Sequence, residues 1–487
     1  MVSTGSPVGE LAALVAGKVV GDPTVVVRDV THDSRQAGPG ALFVAIPGAS
    51  HDGHDFAGVA VEAGSPALMV ERVLDVQVSQ LIVDTARAAM APVAAEIYGH
   101  PSRSLQVVGV TGTNGKTTVT HMVEAIATVA GKVTGLIGTV HTRVAGNAIP
   151  NIRTTPESSD LQRLLASMVD LDAEVVAAEV SSHAIELHRV DATRFAVAAF
   201  TNLSQDHLDF HGDMESYFDA KARLFDPDRS SRAVIWVDDP AGRRLRERVD
   251  IPVMTVGSGA DISGENRELD VGSSLFRLNT PAGSRTVRLP LGGGFNVDNA
   301  LIATGCALAI GLPFDAVVEA LESFGGVPGR FELVSDDDPV RIVVDYAHTP
   351  AGIAAAIAAV RELRPSGRVM VVFGAGGDRD AAKRPQMGAA ALDADVVIVT
   401  SDNPRTEDPE NIVAEIMEGI DRREGVRTVL DRREAITEAV EMAGEGDVVL
   451  ILGRGHERGQ EVHGRFLPLD DRQIARSALA DKRGATP

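Results

Sequence analysis

Residues 108–118 read Val-Gly-Val-Thr-Gly-Thr-Asn-Gly-Lys-Thr-Thr, residue types and a spacing suited to nucleotide phosphates. The apolar run 105–110 before them predicts a buried strand, and residues 120–130 carry apolar positions at helical spacing. A Gly-rich turn between strand and helix leaves backbone N–H groups free to face phosphate oxygens. Lys116 can then neutralise the terminal phosphates and the Thr117 hydroxyl can ligate Mg²⁺. The general P-loop pattern wants a glycine where this chain has Val110, so the match rests on Gly112 to Thr117. The reading is an ATP or GTP site; the plain alternative is a Gly-rich turn that binds nothing.

Other residues of chemical interest follow apolar runs. Glu179 ends the run 175–180, and a carboxylate at a strand end suits Mg²⁺; the alternative is a buried, paired glutamate. The stretch Thr201 to His211 packs Asp206, His207, Asp209 and His211 into one loop, where a histidine can bind metal or cap a helix. Lys221 lies on a helical pattern and by itself reads as a solvated or snorkelling lysine. Asp345 to His348, Gly374 to Asp380, Ser401 to Arg405 and Gly453 to Glu457 each follow an apolar run near the C-terminus. Arg405 offers a planar fork for a carboxylate, and Asp402 or Asn403 a partner for an ammonium. A turn or helix start is the bland reading of Asp402-Asn-Pro-Arg405.

The elements that must position these residues alternate along the chain. Strands are expected at 25–30, 42–46, 67–70 and 81–83, with a helix at 87–98. After a break at 99–102, strands are expected at 175–180, 196–200 and 233–237 with helices at 160–170 and 214–224. This rhythm implies a parallel sheet covered on both faces. Residues 261–291 suggest an antiparallel addition, and 296–310 and 314–324 two helices. After a Gly-rich linker at 325–329, strands are expected at 341–345, 369–373, 396–400, 428–430 and 448–452, with helices between. Ligands in such sheets lie beyond the carboxyl ends of the strands, where the polar loops fall. The fold expected is α/β in three domains. Residues 1–99 form the first, 100–328 a central P-loop parallel-sheet ATPase domain, and 329–487 a Rossmann-like domain.

Composition bounds the function. The 487 residues carry a formal charge of −22, which argues against a general nucleic-acid or anionic-membrane binder. Anionic substrates would have to be drawn in by local Arg and Lys clusters. The single cysteine, Cys306, lies in an apolar stretch and allows no disulfide framework. No signal peptide or membrane-spanning run is read, so a cytoplasmic protein is expected.

Taken together, the motifs resemble those of the Mur ligases, ATP-dependent amide-forming enzymes of peptidoglycan precursor synthesis. The resemblance rests on the 111–118 loop, Glu179-Val-Ser-Ser-His183, Asn296 to Asn299 and Asp345-Tyr-Ala-His-Thr-Pro350, and covers nearly the whole chain. Asp33-Ser34-Arg35 with residues 40–45 resembles a uridine-nucleotide domain. Asp402-Asn-Pro-Arg405 resembles the motif of the branch that adds meso-2,6-diaminopimelate; lysine-adding relatives usually lack that arginine.

The resemblance implies a role for each position. Gly112, Thr113, Asn114, Gly115, Lys116, Thr117 and Thr118 would hold ATP, with Asn299 and Arg330 beside it and Asp345 near its ribose. Thr117, Glu179, His207 and Lys221 would hold Mg²⁺, Lys221 as a carbamate made with CO₂. Lys116, Glu179, His207 and Lys221 are thus the implied catalytic set. His32, Ser34, Ala49, Ser50 and His51 would contact the uridine diphosphate, and Thr154, Thr155, Ser181 and Arg189 the rest of UDP-N-acetylmuramoyl-L-Ala-D-Glu. Arg379, Asp402, Asn403, Pro404, Arg405, Gly453 and Glu457 would bind diaminopimelate. Leu187 stands where some members have a substrate-contacting glutamine, so that contact is not expected. Arg454 stands where lysine is common and keeps the charge.

The reaction implied joins diaminopimelate to the D-Glu side-chain carboxylate through an acyl phosphate, in a monomer. Three alternatives remain at this stage. They are a lysine-adding Mur ligase, a ligase like folylpolyglutamate synthetase, and a non-catalytic nucleotide switch.

Overall fold

The protein is described by a computed structural model over residues 5–48, 51–149, 153–335, 339–363, 366–421 and 424–484. It forms two compact units. One comprises Met1–Leu203, Asp213–Ile262 and Ile302–Val317; the other comprises Ser204–Gly212, Ser263–Leu301 and Val318–Pro487.

Among the described residues the first unit holds two main sheets, besides the short pair Ser6–Pro7/Val26–Val27. The smaller has five strands in the order Lys18–Val20, Ser79–Ile82, Ala67–Val70, Ala41–Val44, Asp29–Thr31, parallel except at the first. The apolar run at 25–30 is split. Val26–Val27 pairs with Ser6–Pro7, while Asp29–Thr31 joins the sheet. The break falls at Arg28, whose N–H bonds Gly40 O. Helix Ala86–Ile97 packs its Ala, Met and Val side chains into this layer.

The larger sheet has eight strands in the order Asn147–Ile149, Thr142–Val144, Thr134–Ile137, Val175–Glu179, Gln106–Thr111, Val197–Phe200, Ala233–Trp236, Val253–Val256. Its last six are parallel, and their Val/Ala/Ile runs are the continuous apolar type that a sheet covered on both faces requires. The chain leaves Gln106–Thr111 toward one side of the sheet and returns on the other, so the P-loop follows a strand at the switch point. The hairpin Thr142–Val144/Asn147–Ile149 was not expected. Its outer strand is exposed, so no apolar run marks it.

The second unit contains the antiparallel three-stranded sheet Ser263–Leu269, Ser274–Thr280, Gly283–Leu289 that the polar stretch suggested. It also contains a six-stranded sheet in the order Glu332–Leu333, Arg341–Asp345, Val448–Leu452, Val369–Phe373, Val396–Val399, Val426–Thr428, parallel except at its first pair. Expected at 428–430, the last strand instead ends at Thr428. It is a half-exposed edge, and only its neighbour fixes the register, through Val397↔Val426 and Val399↔Thr428. A second unexpected hairpin, Gly459–Val462/Arg465–Pro468, follows the sheet. The linker 325–329 lies inside this unit, and Gly329 meets the Gly455–His456 backbone too closely for a side chain. Among the described residues no helix is long and apolar enough to cross a membrane.

Candidate functional site

The Gly-rich loop has the shape its sequence requires. Gly112 has φ +144°, and a Cβ there would run into the Thr201 hydroxyl. Gly115, at φ +85°, caps helix Lys116–Val129, which starts a turn before its apolar pattern because Lys116, Thr117 and Thr118 are polar. Val110 lies inside the strand, paired with Glu179 on one side and Ala199 on the other. The sharp turn therefore begins at Gly112. The loop is braced from the next strand: Thr113 N–H donates to Asn202 O (2.9 Å), Asn114 N–H to Asn202 Oδ1 (2.9 Å), and Thr201 Oγ1 to Asn114 O (2.6 Å).

Two lysines converge on one carbonyl of this loop. Lys116 Nζ donates to Gly112 O (3.0 Å) and Thr113 O (2.8 Å); Lys221 Nζ donates to the same Gly112 O (2.9 Å). Lys221 is 1% exposed and lies over the Tyr217 ring at 4.3 Å. It is therefore not the solvated lysine that sequence alone suggested. Helix Met214–Ala222 carries it, begun by the Asp213 side chain accepting from Ser216 N–H (2.7 Å).

Glu179, at the end of the strand beside the P-loop strand, is buried. Its carboxylate accepts from Thr139 N–H (2.7 Å) and Thr139 Oγ1 (3.1 Å), and Thr139 Oγ1 lies 3.0 Å from Thr154 Oγ1. Thr155 Oγ1 donates to Glu179 O (2.9 Å) and accepts from Ser181 N–H (3.2 Å); Arg189 Nη1 reaches Thr155 O (3.4 Å). Thr154, Thr155, Glu179, Ser181 and Arg189 thus form one connected group. Behind it, buried Glu157 holds Arg87 (2.7 Å), Arg153 (3.2 Å) and Arg189 (3.0 Å). Burial pulls the Arg189 pKa down, the charge of Glu157 opposing and those of Arg153 and Arg87 assisting. In the same unit His32 Nδ1 lies 3.0 Å from Ser159 Oγ. Ser34 opens a short 3₁₀ turn capped by Asp33, and His51 is exposed against Phe56. Ala49 and Ser50 lie outside the described residues.

The second unit gathers the remaining positions. His207 precedes helix Leu208–His211 with φ +55°, its N–H on Asp206 Oδ1 (2.9 Å). Asn299 donates to Asn296 Oδ1 (3.3 Å). The Arg330 guanidinium stacks over Tyr346 at 4.5 Å, and its buried Nε has no hydrogen-bond partner among the described residues. Asp345 accepts from Phe331 N–H (2.7 Å) and Ala347 N–H (2.8 Å). Burial lifts its carboxyl above the usual range, against the Arg330 charge and these N–H groups.

At the carboxyl ends of the parallel strands, Asn403 Nδ2 donates to Glu457 Oε2 (2.8 Å) and Asn403 Oδ1 accepts from Glu461 N–H (2.9 Å). Arg405 Nη1 donates to Gly377 O (2.6 Å). Gly453, at φ +111°, leaves room for Asp402, whose Oδ2 would stand 2.6 Å from a Cβ. Pro404 O packs on Gly377, and Arg379 is exposed beside Gly376. Burial, then the Asp402 charge, raise the Glu457 pKa, while the Asn403 hydrogen bond and the Arg454 charge oppose the rise.

Sequence reading missed several supporting residues. Arg384 is buried and binds Glu407 and Glu415; Arg432 is buried against Asp471 with Nη2 on Leu452 O (2.9 Å). Thr139 and Glu157 were missed as well. Arg384, Arg432 and Glu157 lie in no glycine-marked loop, and their partners Glu407, Asp471 and Arg87 are remote in sequence; Thr139 follows Gly138, the one local signal among them. Among the described residues no three His, Cys, Asp or Glu side chains gather as a ready-made metal cage. Mg²⁺ needs only one or two carboxylates plus substrate phosphates, and the Glu179 carboxylate and Thr117 hydroxyl are of the types that chemistry uses.

Three family descriptions match the chain: "Mur ligase family, catalytic domain" over residues 26–109, "Mur ligase middle domain" over 110–307 and "Mur ligase, glutamate ligase domain" over 329–455. The chain is 44% identical over 474 residues to a UDP-N-acetylmuramoyl-L-alanyl-D-glutamate–2,6-diaminopimelate ligase of Geobacillus thermodenitrificans, covering 95% of this chain and 96% of that one. With the enzyme of the same name from Streptomyces coelicolor it shares 43% over 495 residues, covering 98% and 97%. A solved structure of such a ligase superposes with a TM-score of 0.70 at 32% identity, covering 99% and 100% of the two chains. Folylpolyglutamate synthase of Mycobacterium tuberculosis, solved with ADP and AMPPCP, shares the fold at 24% identity, with a TM-score of 0.62 over 76% of this chain and 92% of that one.

Proposed function

The chain belongs to the Mur ligase family, and on that premise we propose that it joins meso-2,6-diaminopimelate to UDP-N-acetylmuramoyl-L-Ala-D-Glu with ATP, building a peptidoglycan precursor in the cytoplasm. The observation that carries the specificity is the pairing of opposite charges beyond the carboxyl ends of Val396–Val399 and Val448–Leu452, the two strands that flank Val369–Phe373. Arg405 and Glu457 stand on two loops that Asn403 ties together. Diaminopimelate ends in a carboxylate and an ammonium; Arg405 takes the first and Glu457 the second. Lysine lacks that carboxylate, and a site built to bind it loses a charge-assisted bond when lysine enters.

In the proposed reaction the D-Glu side-chain carboxylate attacks the γ-phosphorus of ATP and ADP leaves. The diaminopimelate amine, having shed a proton, attacks the acyl carbon and phosphate leaves. The first step brings two anions together. Lys116 and the loop N–H groups not already given to Asn202 offset that charge, and Asn299, Arg330 and Asp345 hold the nucleotide. Arg189, Ser181, Thr154 and Thr155 orient the muramoyl dipeptide; His32, Ser34 and the 49–51 loop hold the uridine diphosphate. Arg379, Asp402, Pro404 and Gly453 complete the amino-acid site.

Mg²⁺ supplies charge neutralisation when bound, and Thr117, Glu179, His207 and a carbamylated Lys221 would hold it. The position of Lys221 supports the carbamate. As an ammonium it is buried and shares one carbonyl with Lys116, and a carbamate there would put an anion beside Lys116 in place of a second cation. We divide the work among residues 1–99 for the uridine nucleotide, 100–328 for ATP and 329–487 for the amino acid, in a monomer.

The experiment is Arg405→Ala. Its KM for diaminopimelate is expected to rise at least tenfold with the ATP KM unchanged; an unchanged diaminopimelate KM would refute the assignment.

A further inference from the structure

From the hairpin that follows the amino-acid loops, we infer that Glu461 is an internal stand-in for the ligand's carboxylate, holding Arg405 until diaminopimelate displaces it. The inference rests on the reading of Arg405 given above. Glu461 Oε2 lies 3.2 Å from Arg405 Nε, with the two side chains 46% and 22% exposed. Everything else about Arg405 is fixed. Its backbone is left-handed (φ +53°), its N–H donates to Glu461 O (3.0 Å), its carbonyl accepts from His463 N–H (2.6 Å), and Nη1 donates to Gly377 O (2.6 Å). Among the described residues, the Glu461 side chain is the one partner of this guanidinium that can swing into solvent without disturbing the backbone.

The hairpin itself does not depend on that side chain. Glu461 contributes its backbone N–H to Asn403 Oδ1, and Gln460 Nε2 donates to Asp402 O and to Ser401 Oγ (3.1 Å). Two carboxylates then compete for one guanidinium, and the half-exposed internal one yields at small cost. The same residue sets specificity. With lysine bound, Arg405 keeps Glu461 and is not left unpaired, so Glu461 softens the discrimination that Arg405 alone would impose.

Glu461→Gln removes the charge and leaves the backbone bonds in place. The KM for meso-diaminopimelate is expected to fall by about two- to fivefold, the size of a half-exposed ion pair, with kcat changing less. The Ki of L-lysine, read as a competitor of diaminopimelate, should not fall. An unchanged or higher diaminopimelate KM overturns the inference, as does a parallel fall in the lysine Ki, which would mark a general loosening of the pocket. Arg405→Ala separates the two readings. If it leaves the diaminopimelate KM unchanged, both fall; if it raises that KM while Glu461→Gln has no effect, only the Glu461 role falls.

Discussion

At the scale of single residues, the account turns on charges whose partners are fixed by the fold. Glu457 gives a pH signature. Its carboxyl is raised above the ordinary glutamate range by burial and by Asp402, so it takes up its proton at a higher pH than a solvated glutamate does. As pH falls through that raised value, the proposed ammonium partner is lost. The KM for diaminopimelate should therefore climb as pH falls, and at a higher pH than a solvated glutamate would give. Glu457→Gln should give a high KM with no such acid limb when KM is measured as a function of pH. The chemistry of this scale was partly legible. Lys116 and Glu457 stand in short motifs beside glycines and Arg405 in Asp402-Asn-Pro-Arg405, whereas Lys221 reads as solvated and only folding shows it buried on Gly112 O.

At the scale of elements, what positions chemistry is a helix start or a tight turn. Asp213 caps the helix that carries Lys221. Asp213→Ala should cost roughly 1 kcal/mol of stability and lower activity by loosening Lys221, checked by thermal denaturation beside kcat. Gly112→Ala places a Cβ into the Thr201 hydroxyl at a φ that side chains avoid. ATP binding should be lost in this variant, as titration of ATP by calorimetry would show.

Parallel strands were readable because their interiors are unbroken apolar runs rich in Val and Ile; residues 341–345, 369–373 and 448–452 coincide with strands Arg341–Asp345, Val369–Phe373 and Val448–Leu452. Exposed hairpins carry no such run. The one at Gly459–Pro468, which clasps Arg405, left no mark in the sequence beyond its polarity. Buried Glu157 with its arginines was hidden for a different reason, since Arg87 is seventy residues away in the chain.

At the scale of the whole molecule, a chain of net charge −22 takes two anionic nucleotides as its proposed substrates, and local cations must overcome the general field. Arg87, Arg153 and Arg189 around Glu157 are one such concentration, and Lys116 with the loop amides another. The central claim is an ATP-dependent ligase that selects diaminopimelate. It is tested most directly by following phosphate release with ATP, Mg²⁺ and UDP-N-acetylmuramoyl-L-Ala-D-Glu, supplying either meso-diaminopimelate or L-lysine and identifying the product by mass. The account predicts a tripeptide product formed with diaminopimelate at a rate far above that with lysine. Equal or faster product formation with lysine would contradict it.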